Sequence, residues 1–118
     1  MVTDGLRHLL ERGDGMGEYD DGRSGYAEHP VCGDRMELSV QRDGETVRGV
    51  RWRASGCPAS MALAALCSEV LVDVPVAEVA RVLRAGIAAR GGLKRHEQHA
   101  EKMALRALEQ ALGEAPGS

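Results

Sequence analysis

Phenylalanine is absent from this chain of 118 residues, tryptophan occurs once and tyrosine twice. A core without aromatic anchors must rest on Leu, Val, Ala and Met, and a chain so poor in rings does not suit recognition of nucleic acid by base stacking. The formal net charge of −3 argues in the same direction, since nothing here neutralises a phosphate backbone. Arg48, Arg51 and Arg53 make a local basic stripe, which reads as a solvated strand face. No apolar run approaches a membrane span, and Asp4 stands where a signal peptide would be apolar. The expectation is a cytoplasmic protein with neither a membrane nor a nucleic-acid partner. There are only three cysteines, an odd number spread widely along the chain, so reduced thiols or metal ligands suit it better than a disulfide framework. A hydrophobic content of 43% is enough for one domain with one core, spanning 1–118.

The periodicities place the elements. Thr3 or Asp4 caps a first helix with Leu6, Leu9 and Leu10 on one side, ending near Gly13. From Glu11 to Glu28 five glycines alternate with six carboxylates, a composition that predicts a mobile loop, with a short strand at most around Tyr26. Met36, Leu38 and Val40 then alternate with polar residues as in a half-buried strand. Asp43-Gly44 supplies a turn, and Val50 and Trp52 continue the alternation on the way back. Val47 is out of phase with them, which predicts a bulge at Gly49. Pro58 suits the first turn of a helix reaching about Val72, whose alanines allow close packing on the sheet. Pro75 opens another helix, with Val76, Val79, Ala80 and Leu83 inward, closing near Gly86. After Gly91-Gly92 a last helix buries Ala100, Met103, Ala104, Ala107, Leu108 and Ala111, and residues 115–118 read as a frayed tail. A helix, a sheet and three further helices make an α+β protein.

The chemistry concentrates on two cysteines, each beside a glycine. Cys32 lies in Pro30-Val31-Cys32-Gly33-Asp34, and Cys57 in Ser55-Gly56-Cys57-Pro58. The hairpin between them brings the chain out and back, so both sulfurs can return to one edge. Cys57 opens a helix, where unpaired N–H groups and the dipole favour a negatively charged sulfur, making it a candidate nucleophile or metal ligand. Asp34 adds an oxygen ligand or proton acceptor near Cys32. Cys67 follows Cys57 by ten residues, nearly opposite on a helix, and reads as core. His96, Glu97 and His99 cluster before the last helix, and the i, i+3 spacing lets the two histidines share a face.

The Pro-x-Cys32-Gly33-Asp34 run, the hairpin, Gly56-Cys57 opening an Ala/Ser-rich helix with Glu69 following, and a histidine before a final amphipathic helix together resemble the NifU/IscU-type iron–sulfur cluster scaffold family. The likeness extends from about His8 to Leu112. It implies a three-stranded antiparallel sheet with helices on one side, and a site where three cysteines and an aspartate hold a nascent [2Fe–2S] cluster or zinc. Cys32, Asp34 and Cys57 match three of those positions, and His96 matches a frequent histidine beside the third cysteine. Aligned through Lys94, His96 and the Ala104-Leu105 step, the third cysteine's place falls on Glu97. A carboxylate is a harder ligand than thiolate, cannot carry a persulfide, and suits zinc or transient iron better. Arg90-Gly91-Gly92-Leu93-Lys94 stands where many scaffolds carry a Leu-Pro-Pro-Val-Lys motif read by an Hsp70-type chaperone, and agrees well only at Lys94. The insertion that marks the zinc-dependent sulfur-transfer branch is missing, since Cys57 and Glu97 are forty positions apart.

The resemblance therefore implies a scaffold-type protein of iron–sulfur assembly, not an enzyme in the turnover sense. It would bind iron, a [2Fe–2S] cluster or zinc through Cys32, Asp34 and Cys57, completed by Glu97 or His96. Its partners would be a cysteine desulfurase and an apo iron–sulfur protein. Two other readings stand beside it: a zinc-bound sulfur acceptor taking persulfide from a desulfurase, and a degenerate module that docks on a desulfurase and regulates it without holding a cluster.

Overall fold

The structure, a computed structural model, describes residues 3–117. It contains α1 (Asp4–Arg12), β1 (Arg23–His29), β2 (Asp34–Asp43), β3 (Thr46–Ser55), α2 (Pro58–Val70), β4 (Val74–Pro75), α3 (Val79–Ala89) and α4 (His99–Leu112). Single 3-10 turns at Val76–Glu78 and Arg95–Glu97 lead into the last two helices. The strands form one antiparallel sheet in the order β1-β2-β3-β4. The sheet thus has four strands where three were expected; the fourth is a two-residue strip, Val74–Pro75, that pairs with Val47 and Thr46.

Each element follows from local chemistry. Thr3 caps α1 by accepting from the Leu6 N–H, and Gly13 ends it in the left-handed conformation. In the β2–β3 hairpin, Met36, Leu38 and Val40 face Ala54, Trp52 and Val50 in register. All of these but the half-buried Ala54 are buried. Gln41 pairs with Gly49 but Arg42 with Val47, so Arg48 is the extra residue of a bulge that returns Val47 to the core. The opposite face carries Arg35, Glu37, Arg51 and Arg53, solvated as a strand face without a helical cover should be.

Helix α2 packs on β3, and α4 packs on β1 and β2, while α1 and α3 flank α2. Being covered on several sides, α2 buries Ala59 and the whole run Ala62–Cys67 and shows no single apolar stripe. Its alanines keep the layers close, and Trp52, at 2% exposure the largest buried side chain, fills the sheet side of an otherwise aliphatic core.

Three expectations are corrected. The 11–28 stretch is not one loop, because Arg23–His29 form a seven-residue strand. Its glycine explains why composition hid it: a Cβ on Gly25 would lie 2.7 Å from the Ala107 carbonyl carbon and 2.9 Å from the Ala111 nitrogen, so the side-chain-free position is what lets α4 lie on β1. The acidic segment before it is tied down as well. Trp52 donates its backbone N–H to Gly15 O and its indole N–H to Asp14 O, both at 2.9 Å, and accepts from the Gly17 N–H. Tyr19 N–H then donates to Ser39 Oγ at 2.9 Å across the outer face. These contacts cover the β3 edge that β4 leaves unpaired. Helix α3 passes through Gly86 to Ala89; a Cβ at Gly86 would sit 3.3 Å from Val70 Cγ1, so this glycine serves helix packing instead of a stop. In the tail, Pro116 is buried and accepts from the Ala80 N–H at 2.9 Å, which docks the chain end on α3; Ser118 lies outside the described residues.

Candidate metal centre

One end of the sheet gathers the chemistry. β2 begins at Asp34, β3 ends at Ser55, and Gly56 turns the chain into Cys57, the N-cap of α2. Gly56 has φ +116°, and a Cβ there would lie 2.7 Å from Asp34 Cα and 2.9 Å from Asp34 Cγ. Only glycine satisfies both the backbone and the approach. The Cys57 N–H, one of the unpaired donors of the helix start, reaches Asp34 Oδ1 at 3.0 Å. One turn along, Ser60 donates to Asp34 Oδ2 at 2.9 Å. From α4, His99 Nε2 meets the same Oδ2 at 2.9 Å and lies 3.6 Å from Cys57 Sγ. Met103, one turn further, brings Sδ to 3.7 Å from Ser60 Oγ and closes the floor.

Asp34 is 1% exposed. Burial pushes its carboxyl up, but the hydrogen bonds from His99, Cys57 and Ser60 outweigh this and hold it down at about 2. A buried carboxylate is thus kept charged within reach of an imidazole and a thiol. One ligand atom from each of Asp34, Cys57 and His99 lies within 4.8 Å of the others. Donors about 2.0–2.3 Å from one tetrahedral ion stand about 3.3–3.8 Å apart, and the Cys57–His99 separation of 3.6 Å fits that spacing. The shorter Asp34–His99 distance is what a shared proton gives. The oxygen, sulfur and nitrogen donors fit zinc or iron, and binding either requires losing that proton.

The remaining candidates are placed differently. Cys32 is exposed in the β1–β2 turn, outside the three-atom cluster, with its N–H on His29 Nδ1 at 3.3 Å. The His29 ring in turn lies 4.6 Å from that of His99. His96 is exposed. Glu97 is 4% exposed and turns back to accept the Lys94 N–H at 2.9 Å. Burial pushes its carboxyl up, and this hydrogen bond with the charge around it brings it net below its ordinary value. Glu97 thus caps the 3-10 turn, so Glu97 and His96 lie outside the three-atom cluster, and His99 on the first turn of α4 is the member of this group that meets Asp34 and Cys57. Cys67 is fully buried in α2, where desolvation pushes its thiol up to about 12, and it has no part in the site. Ser60, His29 and Met103 were not anticipated. Only Ser60, at i+3 from Cys57, carried a sequence signal for sharing its face.

The family model described as the NifU-like N terminal domain matches residues 8–117. The chain belongs to this family. It is 25% identical over 114 residues to the iron–sulfur cluster assembly scaffold protein IscU 1 of Archaeoglobus fulgidus, covering 95% of this chain and 74% of the relative. It is also 35% identical over 43 residues to the zinc-dependent sulfurtransferase SufU of Bacillus subtilis, covering 36% of this chain and 29% of that one. Among solved structures, a protein described as an iron–sulfur cluster assembly scaffold for the SUF system, from Fervidobacterium islandicum AW-1, superposes with a TM-score of 0.73 at 16% identity. That likeness covers 98% of this chain and 96% of the other and shows a shared NifU-type fold. The N-terminal part of a NifU-like protein from Brucella abortus gives a TM-score of 0.61 at 10% identity, covering 93% and 78%. No helix among the described residues is long and apolar enough to cross a membrane.

Proposed function

We propose that this NifU-like domain is a scaffold that receives iron, or a [2Fe–2S] cluster as it forms, at Asp34, Cys57 and His99, with Cys32 at the mouth. Sulfur would come from a cysteine desulfurase, and the assembled cluster would pass to an apo iron–sulfur protein. The observation that carries this reading is the convergence of three different donor atoms within 4.8 Å: Asp34 and Cys57 stand at positions where the family resemblance expects ligands, and His99 lies two residues beyond the place of the missing third cysteine. Each residue then has a task. Asp34, oriented by the Cys57 N–H and Ser60 O–H, presents Oδ2. Cys57 supplies a thiolate at the positive end of α2. His99 yields its Nε2 proton and offers the nitrogen, and exposed Cys32 is available for exchange with a partner. Iron or cluster held here is cargo, and an imidazole and a carboxylate retain it less firmly than thiolates do.

The test is metal content after anaerobic purification, with and without reconstitution by iron, cysteine and a desulfurase. Expected are about one metal or cluster per chain or dimer, its loss in Cys57→Ser, Asp34→Ala and His99→Ala, and its retention in His96→Ala. Stoichiometric metal in a Cys57→Ser/His99→Ala double variant refutes the assignment.

The mixed oxygen, sulfur and nitrogen set also favours a second reading, supported by the partial match to a zinc-dependent sulfurtransferase. Here the chain is a zinc-bound sulfur acceptor. The Cys57 or Cys32 thiolate attacks the outer sulfur of a desulfurase persulfide, that S–S bond breaks, and the desulfurase thiolate leaves. Mass spectrometry separates the two: a lasting +32 Da adduct without iron-dependent colour favours the acceptor, and colour without the adduct favours the scaffold.

A further inference from the structure

The β1–β2 turn is held by one residue. His29 is the last residue of β1 and pairs with Asp34 across the ladder, so Pro30, Val31, Cys32 and Gly33 form the loop between them. Two hydrogen bonds close this loop, and His29 accepts both: the Gly33 N–H on its carbonyl oxygen at 2.8 Å and the Cys32 N–H on its Nδ1 at 3.3 Å. The rest of the loop has little else to hold it. Val31 is 88% exposed, and nothing lies within 4 Å of where a Gly33 side chain would start. The His29 ring also meets His99, with ring centroids 4.6 Å apart and planes at 46°. A single half-buried imidazole thus touches both the loop that carries Cys32 and the side chain that joins Asp34 and Cys57.

We propose that His29 is a positioning residue for the metal centre: it holds the Cys32 loop and the His99 ring in one register, so that Cys32 supplies the fourth donor beside Asp34, Cys57 and His99. This rests on the metal-binding reading above and adds to it how the set is completed. Three donors already converge without Cys32, and a tetrahedral ion takes four. The Cys32 thiol stands on a loop that His29 ties to the neighbouring donor, whereas Glu97, the other fourth-ligand candidate, is engaged in its own turn. A group that orients ligands without binding the metal costs about 10–100-fold in affinity when removed, and here removal frees a thiolate as well as an imidazole.

Cobalt(II), a spectroscopic substitute for zinc, counts the thiolates through the intensity of its sulfur-to-metal charge-transfer band. The full chain is titrated with Co2+ and then competed with Zn2+, as wild type, Cys32→Ser, His29→Ala and His29→Asn. Wild type should show the intensity of two thiolates, and Cys32→Ser about half of it. His29→Ala, with an unchanged far-UV circular dichroism spectrum, should fall to the level of Cys32→Ser and lose about 10–100-fold in zinc affinity. His29→Asn should recover most of the band, because the Asn Oδ1 sits where Nδ1 does and accepts the same N–H. Three results overturn the proposal while leaving the metal centre standing. These are a His29→Ala band equal to wild type, a Cys32→Ser band equal to wild type, or a His29→Asn variant no better than alanine, which would make His29 a ligand itself. No cobalt binding by wild type overturns the metal-centre reading, and this proposal with it.

Discussion

Gly56 offers a prediction whose magnitude can be worked from its surroundings. Gly56→Ala has two costs. A side chain at φ +116° occupies a region that non-glycine residues visit only under strain, worth about 1–3 kcal/mol. The new Cβ would also lie 2.7 Å from Asp34 Cα and 2.9 Å from Asp34 Cγ, so the carboxylate has to retreat from the Cys57 N–H it accepts at 3.0 Å. Losing a hydrogen bond to a charged group costs about 1.5–3 kcal/mol. The sum is about 2.5–6 kcal/mol, a large part of the about 5–15 kcal/mol that holds a domain together. Gly33→Ala is the control, since Gly33 has φ +73° and open space around it; it should lose only the backbone part, about 1–2 kcal/mol. Urea unfolding of the metal-free protein, with equal slopes for the variants, reads both losses. In an Asp34→Asn background the excess cost at Gly56 should shrink, because the charged bond is already gone. Cobalt affinity should fall for Gly56→Ala more than for Gly33→Ala. Equal losses at the two glycines would refute the claim that the approach to Asp34, and not the backbone alone, requires glycine at 56.

Three further outcomes follow from the same geometry. Asp34 is held at about 2 against an ordinary 3.8, so its ionised form stabilises the metal-free fold fully above the ordinary value and loses that contribution as pH falls through the lower one. This amounts to about 2 kcal/mol between pH 5 and 2; acid titrations of urea stability should show it, and Asp34→Asn should flatten that part of the profile. Glu97→Gln should cost about 1 kcal/mol from a weakened cap and leave zinc affinity within about twofold; a tenfold loss of affinity with the fold intact would return Glu97 to the ligand set. Cys67→Ala should retain full metal content and cost about 1–2 kcal/mol. In the folded wild type at pH 8, alkylation followed by mass spectrometry should label exposed Cys32 and leave Cys67, whose thiol is pushed up to about 12, unmodified.

The amino-acid sequence by itself determined the elements whose signals are local. The Thr3 and Gly13 caps, the alternation through Met36, Leu38 and Val40, the out-of-phase Val47 and the Gly-Cys-Pro entry to α2 are each set by neighbours in the chain, and the structure repeats them to within a residue or two. The turns that carry Cys32, Asp34 and Cys57 were legible for the same reason, since Gly33 flanks the first two and Gly56 the third. What only the tertiary structure decided concerns residues whose role depends on what lies across from them. β1 was hidden in a glycine-rich, acidic stretch because the need for Gly25 comes from Ala107 on α4, more than eighty positions away. Gly86 looked like a stop because the Val70 that makes it a packing residue belongs to another helix. Which residue before α4 faces Asp34 and Cys57 was the hardest to read. His96, Glu97 and His99 are chemically plausible alike, and the 3-10 turn at Arg95–Glu97 shifts the helical phase so that Glu97 folds back on Lys94 while His99 reaches Asp34. Spacing gives candidates for a face, but which face meets the site is fixed by how α4 docks against β1, β2 and α2, and that docking is settled by burial summed over the whole core.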